Sequence, residues 1–254
     1  MAEVGDLDAL VRRVDEDRWL ASRFAPRAMR TRLIALYALN YEIARTAETV
    51  TQAGIGDIRL AWWREAIAEI RAGQAPRAHP VVQAAAALVH AQALPTGPLE
   101  ALIEARAKDL DVAPFATWEE LELYVDATAG GLLRLASAAC GEQAPASLVA
   151  AAGRAWGLLG IVRSAPVWKA RGRELTPLGA SISELLERAR EATRVLHGLT
   201  VSAVLFPAFG YLALAPRYLS VLSPPGHDLE HKLVASSLVG RQLALIRASA
   251  TGRL

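Results

Sequence analysis

Apolar residues recur at three- and four-residue steps along most of the chain, the period of an amphipathic helix. The series is clear from Pro26 to Val50, where Met29, Leu33 and Leu36 begin it. The same pattern predicts further helices over 55–72, 80–93, 98–110, 117–140, 145–169, 181–197, 199–222 and 228–248. No strand-like alternation bounded by hairpin turns stands out. We therefore predict an all-α fold, most simply a single-domain helical bundle spanning residues 1–254.

Two helix starts carry a capping-box signature. Thr117 has Glu120 three residues later, and Ser181 has Glu184 at the same spacing. In a capping box the hydroxyl and the acid each accept a hydrogen bond from the other residue's backbone N–H. Helices are therefore predicted to begin directly after Thr117 and Ser181.

The stretch from Gly198 to Pro216 carries no charged residue. It is long enough to suggest a membrane span, but Pro207 and Gly210 interrupt it. A buried core helix broken at Pro207 is the favoured interpretation, and a peripheral membrane contact stays open.

Composition limits the classes of function. With 254 residues, 53% hydrophobic and 21% charged, the chain is globular, and its net charge of +2 gives no reason to expect a nucleic-acid partner. Cys140 is the only cysteine, so an intramolecular disulfide is excluded. Residues 1–17 lack the apolar core of a secretory signal. A cytoplasmic location is expected.

Two tracts are cationic within this nearly neutral chain. Residues 143–173 contain no acid but five basic residues, and after Glu230 there are four basic residues and no acid. An anionic ligand, an anionic lipid surface or an acidic partner would suit such tracts. The alternative is a solvated face balanced by acids elsewhere in the fold.

A zinc-peptidase pattern occurs at 227–231, where His227 and His231 flank Glu230 in the H-x-x-E-H order. That class takes a third ligand from a later glutamate, and no acid follows Glu230. We therefore interpret these residues as a polar helix start without a metal.

Several segments, in order, resemble the squalene/phytoene synthase family, whose members condense two prenyl diphosphates head to head. They are Asp17–Pro26 (DRWLASRFAP), 35–39 (ALYAL), 59–64 (RLAWWR), Asp109-Leu110, Tyr124 with Ala129-Gly130, and the frame from Arg163 to Pro177. The resemblance implies an isoprenoid-synthase-like bundle with an apolar central cavity. It also implies two aspartate-rich boxes that would hold magnesium.

The acids of those boxes are missing. The resemblance places the first box on Ala44, Arg45 and Glu48, and the second on Ser164 and Trp168. The family's glutamate position between the last two falls on Val167, and the asparagine position before the box falls on Gly160. Magnesium is bound through carboxylates together with substrate phosphates, and one surviving acid cannot hold a cluster. We therefore predict no metal site and no magnesium cofactor, and assign no catalytic residue.

Two hypotheses follow. In the first, the protein is catalytically silent and binds an isoprenoid or lipid, or acts like the subgroup that includes assembly factors of respiratory complex I. Residues 40–45 and 59–64 resemble that subgroup. The expected partners are then membrane-associated subunits of the respiratory complex, at the periphery of the inner membrane. In the second, the protein is an active prenyl diphosphate transferase in which Arg45, Arg163 and Arg173 hold the diphosphate without metal.

Seven residues are candidates for binding a ligand in the cavity: Tyr37, Arg45, Glu48, Asp109, Tyr124, Arg163 and Arg173. For some of them a purely structural role is the alternative. Tyr37 and Tyr124 would serve as core aromatics, and Arg163 would pair with Asp109 or Glu48. Trp168 is expected to fill the mouth of the old site.

Overall fold

The computed structural model describes residues 4–50, 53–224, 226–234 and 236–254. The α-helices are α1 Val4–Val14, α2 Glu16–Ser22, α3 Arg27–Ala44, α4 Thr46–Thr49, α5 Ala53–Arg71, α6 Pro80–His90, α7 Thr96–Ala105, α8 Trp118–Val125, α9 Gly131–Cys140, α10 Ala146–Lys169, α11 Ile182–Leu196, α12 Phe206–Phe209, α13 Ala215–Leu222 and α14 Leu238–Thr251. Shorter 3-10 helices cover Arg106–Leu110 and Gly210–Leu214. The described ranges contain no β-strand, and the predicted all-α class is confirmed.

The predicted helix starts at Ser181 and Thr117 are both present. Ser181 makes the full capping box with Glu184, its hydroxyl accepting from the Glu184 N–H and its own N–H donating to the Glu184 carboxylate. Thr117 accepts from the Glu120 N–H at 3.2 Å. The Glu120 carboxylate, however, accepts from the N–H of Ala116 instead of Thr117, so only half of the second box forms.

The predicted helix over 117–140 is divided by a π-helical turn at Asp126–Gly130. At this turn α10 crosses the chain, and the two backbones lie very close together. A Cβ atom on Gly153 would come within 2.7 Å of the Gly130 Cα atom. Glycine is required at Gly153 because only a residue without a side chain permits that approach.

Two of the predicted helices are wrong in their extent. The 199–222 stretch is not one helix broken at Pro207, because residues 199–205 are non-helical and Pro207 lies in the first turn of α12. Likewise α14 begins at Leu238 and not at Asp228. Smaller breaks occur at Arg45, between α3 and α4, and after Ala105, where α7 passes into a 3-10 helix.

The long helix α10 forms the centre of the bundle. It packs along α11 on one side and against the π turn on the other. Its buried residues include Leu158, Leu159 and Val162. Among the described residues, no helix is both long and apolar enough to cross a bilayer.

Candidate functional site

A cavity of about 260 Å³ lies inside the bundle beside α10. Its walls come from α2, the end of α3, α4, the 3-10 helix at Arg106–Leu110, the segment from α8 to α9, and the last turns of α10. The residues that line it include Arg18, Asn40, Ala44, Glu48, Arg106, Asp109, Tyr124, Trp156, Gly160, Ser164 and Trp168. The bundle therefore has a central cavity with both apolar and charged walls.

Positions from both segments that resemble the aspartate boxes line this cavity. Ala44 and Glu48 lie on its wall from the α3–α4 side, and Ser164 and Trp168 lie on its wall from α10. The Ser164 hydroxyl donates to the Ile161 carbonyl of its own helix at 3.1 Å. The positions that resemble the two aspartate boxes therefore meet at one site.

Few acids line this cavity. Glu48 and Asp109 are the acids that line the cavity. Asp109 is engaged already, because it accepts hydrogen bonds from Tyr124 and Arg106. In the described part of the chain, no group of three or more His, Cys, Asp or Glu side chains is placed to hold a metal ion. A cation of this kind needs several oxygen donors at once, and this cavity offers few.

Asp109, Arg106 and Tyr124 form a closed network at the cavity wall. The Tyr124 hydroxyl donates to the Asp109 carboxylate at 2.6 Å and accepts from Arg106 at 2.9 Å. Arg106 also donates to Asp109 at 3.0 Å. Burial raises the pKa of Tyr124 far above its ordinary value, with the Asp109 charge adding to this and Arg106 opposing it. Tyr124 therefore stays protonated and holds the carboxylate in place.

Arg18 brings a second cation to the cavity from α2. It pairs with Asp15 at 2.5 Å, and its guanidinium lies 4.8 Å from the ring centre of Tyr211 and 5.8 Å from that of Tyr37. Burial opposes its charge, but Asp15 and the two tyrosine rings outweigh that effect and raise the pKa of Arg18. For Tyr37, burial acts in the other direction and raises the pKa of the phenol. The Tyr37 hydroxyl has no hydrogen-bond partner among the described residues.

The three arginines expected to hold a diphosphate are not brought together. Arg45 points into a separate groove, where it pairs with Glu42 at 3.0 Å. Arg173 donates to the backbone carbonyls of Asp109 and Asp111, with its guanidinium 4.9 Å from the Trp168 ring centre. Through these contacts Arg173 links the segment at Asp109 and Asp111 to Trp168 at the end of α10.

Arg163 lies away from the cavity, and its predicted pairing with Asp109 or Glu48 is wrong. Its partner is Asp17 on α2, at 3.5 Å, and its guanidinium stacks 3.8 Å from the ring centre of Tyr218. Asp17 also accepts hydrogen bonds from Tyr218 at 2.7 Å and from Arg241 at 2.8 Å. We call these four residues the Asp17 cluster. It joins α2, α10, α13 and α14 on the far side of α10.

The H-x-x-E-H residues do not form a helical pair. Residues 227–234 are outside any helix, so His227 and His231 lack the one-turn spacing of zinc ligands on a helix. His231 hydrogen-bonds Asp228 at 3.0 Å.

Sequence reasoning missed the two arginines that do line the cavity. Arg18 stands inside the Asp17–Pro26 segment that carried the resemblance, and Arg106 lies three residues before Asp109. A basic residue one helical turn from a buried acid is a usable sign of such a pair.

Comparisons with known proteins agree on the class of protein. A family model described as squalene/phytoene synthase matches residues 11–182. Curated relatives include complex I assembly factor 6 of Mus musculus, 27% identical over 72% of this chain and 57% of that protein, and of Bos taurus, 26% identical over 87% and 74%. The chain thus spans little more than half the length of the mouse relative.

Solved structures share the fold. A dehydrosqualene synthase in complex with ligand superposes with a TM-score of 0.74 at 14% identity, covering 98% of this chain and 95% of that chain. Squalene synthase HpnC from Alicyclobacillus acidocaldarius gives 0.70 at 22% identity, covering 86% and 92%.

Proposed function

The chain belongs to the squalene/phytoene synthase family, and from this premise we propose that it keeps the family's bundle as a binding module. In this proposal it does not catalyse magnesium-dependent prenyl condensation. It takes part in the assembly of respiratory complex I and binds an isoprenoid or lipid in the central cavity. It works in the cytoplasm at the periphery of the inner membrane, with subunits of the complex as partners.

The observation that carries the loss of catalysis is the lining of the cavity. Ala44, Ser164 and Trp168 line the cavity at positions where the resemblance to the family places aspartates. Ionising an allylic diphosphate requires its charge to be neutralised by positioned cations. Arg18 and Arg106 are the cations at this site, and each is already paired with an acid.

The assembly role rests on the relatives. The curated proteins similar to this chain are complex I assembly factors, and the alignment with the bovine protein covers 87% of this chain. An assembly factor needs surfaces and a stable fold but no reaction site. Such a role accounts for a bundle that retains its architecture while carrying few acids in its cavity.

The catalytic half of the proposal is tested with purified protein, farnesyl diphosphate and magnesium. We expect no release of pyrophosphate and no hydrocarbon product. A triple variant, Ala44→Asp, Ser164→Asp and Trp168→Asp, serves as the matched comparison, because it returns three carboxylates to the cavity walls. Calorimetry should detect magnesium binding to the variant and not to the parent protein. Squalene formed by the parent protein would refute the proposal.

An active transferase remains the second candidate, favoured by the two arginines in the cavity. It predicts that pyrophosphate release by the parent protein disappears when Arg106 is changed to Gln. No release from either protein would leave the silent binding module as the explanation.

The assembly half is tested by deleting the gene and measuring NADH:ubiquinone activity in membranes. We expect the activity to fall and to return with the wild-type gene. Glu48→Gln is the informative variant, because Glu48 is the cavity acid that has no ion-pair partner in the described ranges. Rescue by Glu48→Gln is expected if no metal chemistry is required. Unchanged complex I activity after deletion would exclude the assembly role.

A further inference from the structure

The C-terminal helix α14 exposes an apolar face. Leu245 and Ala248 are buried against the bundle. Val239, Leu243 and Ile246 are 65%, 62% and 56% exposed. Successive residues of an α-helix advance by about 100°, which places these three side chains in one stripe roughly opposite the buried face. The outward face of a surface helix is ordinarily polar, so an apolar stripe on this face is unfavourable in water.

A groove of about 900 Å³ runs beside the stripe and is cationic. Its walls carry Arg217, Arg247 and Arg253 together with Leu243, and no Asp or Glu side chain is among its lining residues. None of the three arginines makes an ion pair with any residue whose placement the structure gives.

One of these arginines is held where its charge is unfavourable. The Arg217 guanidinium lies against Gly240, in the first turn of α14. The backbone N–H groups at a helix start carry a partial positive charge, so a cation there is repelled and an anion is attracted. An anionic group in the groove would relieve this repulsion and bind all three arginines.

A partner for this surface must combine apolar and anionic groups over the length of one helix. The surface of an anionic bilayer has this chemistry, because acyl chains lie just beneath the phosphate groups. A second copy of the chain is a poor partner, since a two-fold interface would bring the same three arginines together from both copies.

We propose that α14 docks on the surface of an anionic lipid bilayer. In this arrangement Val239, Leu243 and Ile246 enter the boundary between headgroups and acyl chains, while the arginine groove binds lipid phosphates. The proposal concerns a surface distant from the cavity, and it holds whether or not the protein assists complex I.

The test is vesicle flotation of the full chain. One set of vesicles is phosphatidylcholine alone, and in the other set part of it is replaced by phosphatidylglycerol. We expect binding to the anionic vesicles only, weakened by added salt because screening acts on the arginine contacts. Leu243→Asp with Ile246→Asp should lower the affinity by on the order of a hundredfold, and each of Arg217→Gln and Arg247→Gln by roughly fivefold.

Matched controls change the same residue types elsewhere. Leu123→Asp alters a leucine of α8 that is 71% exposed, and Arg71→Gln removes an exposed arginine from α5. Neither should change flotation. Circular dichroism checks that all variants remain folded, as expected for exposed positions.

Five results would overturn the proposal, four of them from the flotation assay. These four are absence of binding, equal binding to neutral vesicles, equal loss in the control variants, and flotation that appears only with vesicles containing extracted membrane proteins. The last would assign the face to a protein partner. Analytical ultracentrifugation covers the remaining case, since a dimer that Leu243→Asp dissociates would also overturn it.

Discussion

The Asp17 cluster allows a sharp prediction about stability. Asp17 is 4% exposed and is the shared acid of Arg163, Arg241 and the Tyr218 hydroxyl. Asp17→Asn keeps the shape of the side chain and removes its charge. The variant therefore leaves two guanidinium groups facing a neutral amide in the bundle interior.

The loss of stability in Asp17→Asn depends on which other partners each arginine keeps. Removing one member of a buried ion pair costs about 3–5 kcal/mol. The Arg163 side chain is 28% exposed and is partly solvated, and Arg241 keeps its ion pair with Glu16. We therefore expect the lower end of that range, about 3 kcal/mol of unfolding free energy. For a chain of this size, such a loss lowers the melting temperature by roughly 6–12 °C.

Urea unfolding followed by circular dichroism measures the loss. Glu16→Gln is the matched control, because it removes the other acid that pairs with Arg241 but is 33% exposed. The control should lose no more than about 1 kcal/mol, as exposed ion pairs do. If Asp17→Asn loses no more than Glu16→Gln, the reasoning about the buried cluster is refuted.

Two further predictions concern packing and pH. Gly153→Val should cost on the order of 2–3 kcal/mol and lower the melting temperature by roughly 4–12 °C, because its side chain would collide with the Gly130 backbone. Gly97→Ala, where an added Cβ meets open space, should be neutral or stabilising, and similar melting of the two variants would contradict the close helix crossing. Burial raises the pKa of the Cys140 thiol from 9.0 to about 12, so the folded state favours the neutral thiol. Its contribution to stability is complete below pH 9.0 and is lost as the pH rises from there toward about 12. The unfolding free energy of the wild type minus that of Cys140→Ala should fall over this range, and a difference that does not change with pH would show that the thiol is not shielded.

The helical class could be predicted from local signals. Hydrophobic period and cap residues report on the backbone near them, and Ser181 with Glu184 gave the start of α11 correctly. Positions that the resemblance assigns to each of the two boxes line one cavity. The segments that resemble the family occur in the family's order along the chain. They lie on helices whose buried faces follow from the hydrophobic period.

Other features depend on contacts between distant segments and were not predictable. The π turn at Asp126–Gly130 forms where α10 crosses, and nothing in its own residues departs from an α-helical pattern. Arg163 pairs with Asp17, which is far away in sequence and nearby only because α2 packs beside α10. Residues 228–237 have helix-compatible periodicity but lie outside any helix in their described positions, so local pattern alone gave the wrong start for α14.

The π turn also determines how changes in chain length would act on this bundle. It inserts extra backbone between α8 and α9 without interrupting the helical path. Each residue of an α-helix rotates the chain by about 100°. A π turn holds one residue more than an α-helical turn, so deleting one residue within Asp126–Gly130 would leave an ordinary helical turn, with Leu132 still at the cavity and Gly131 still against Leu102. A single-residue deletion within the regular turns of α8 or α9 has no such extra residue to lose, and would rotate everything after it by about 100°.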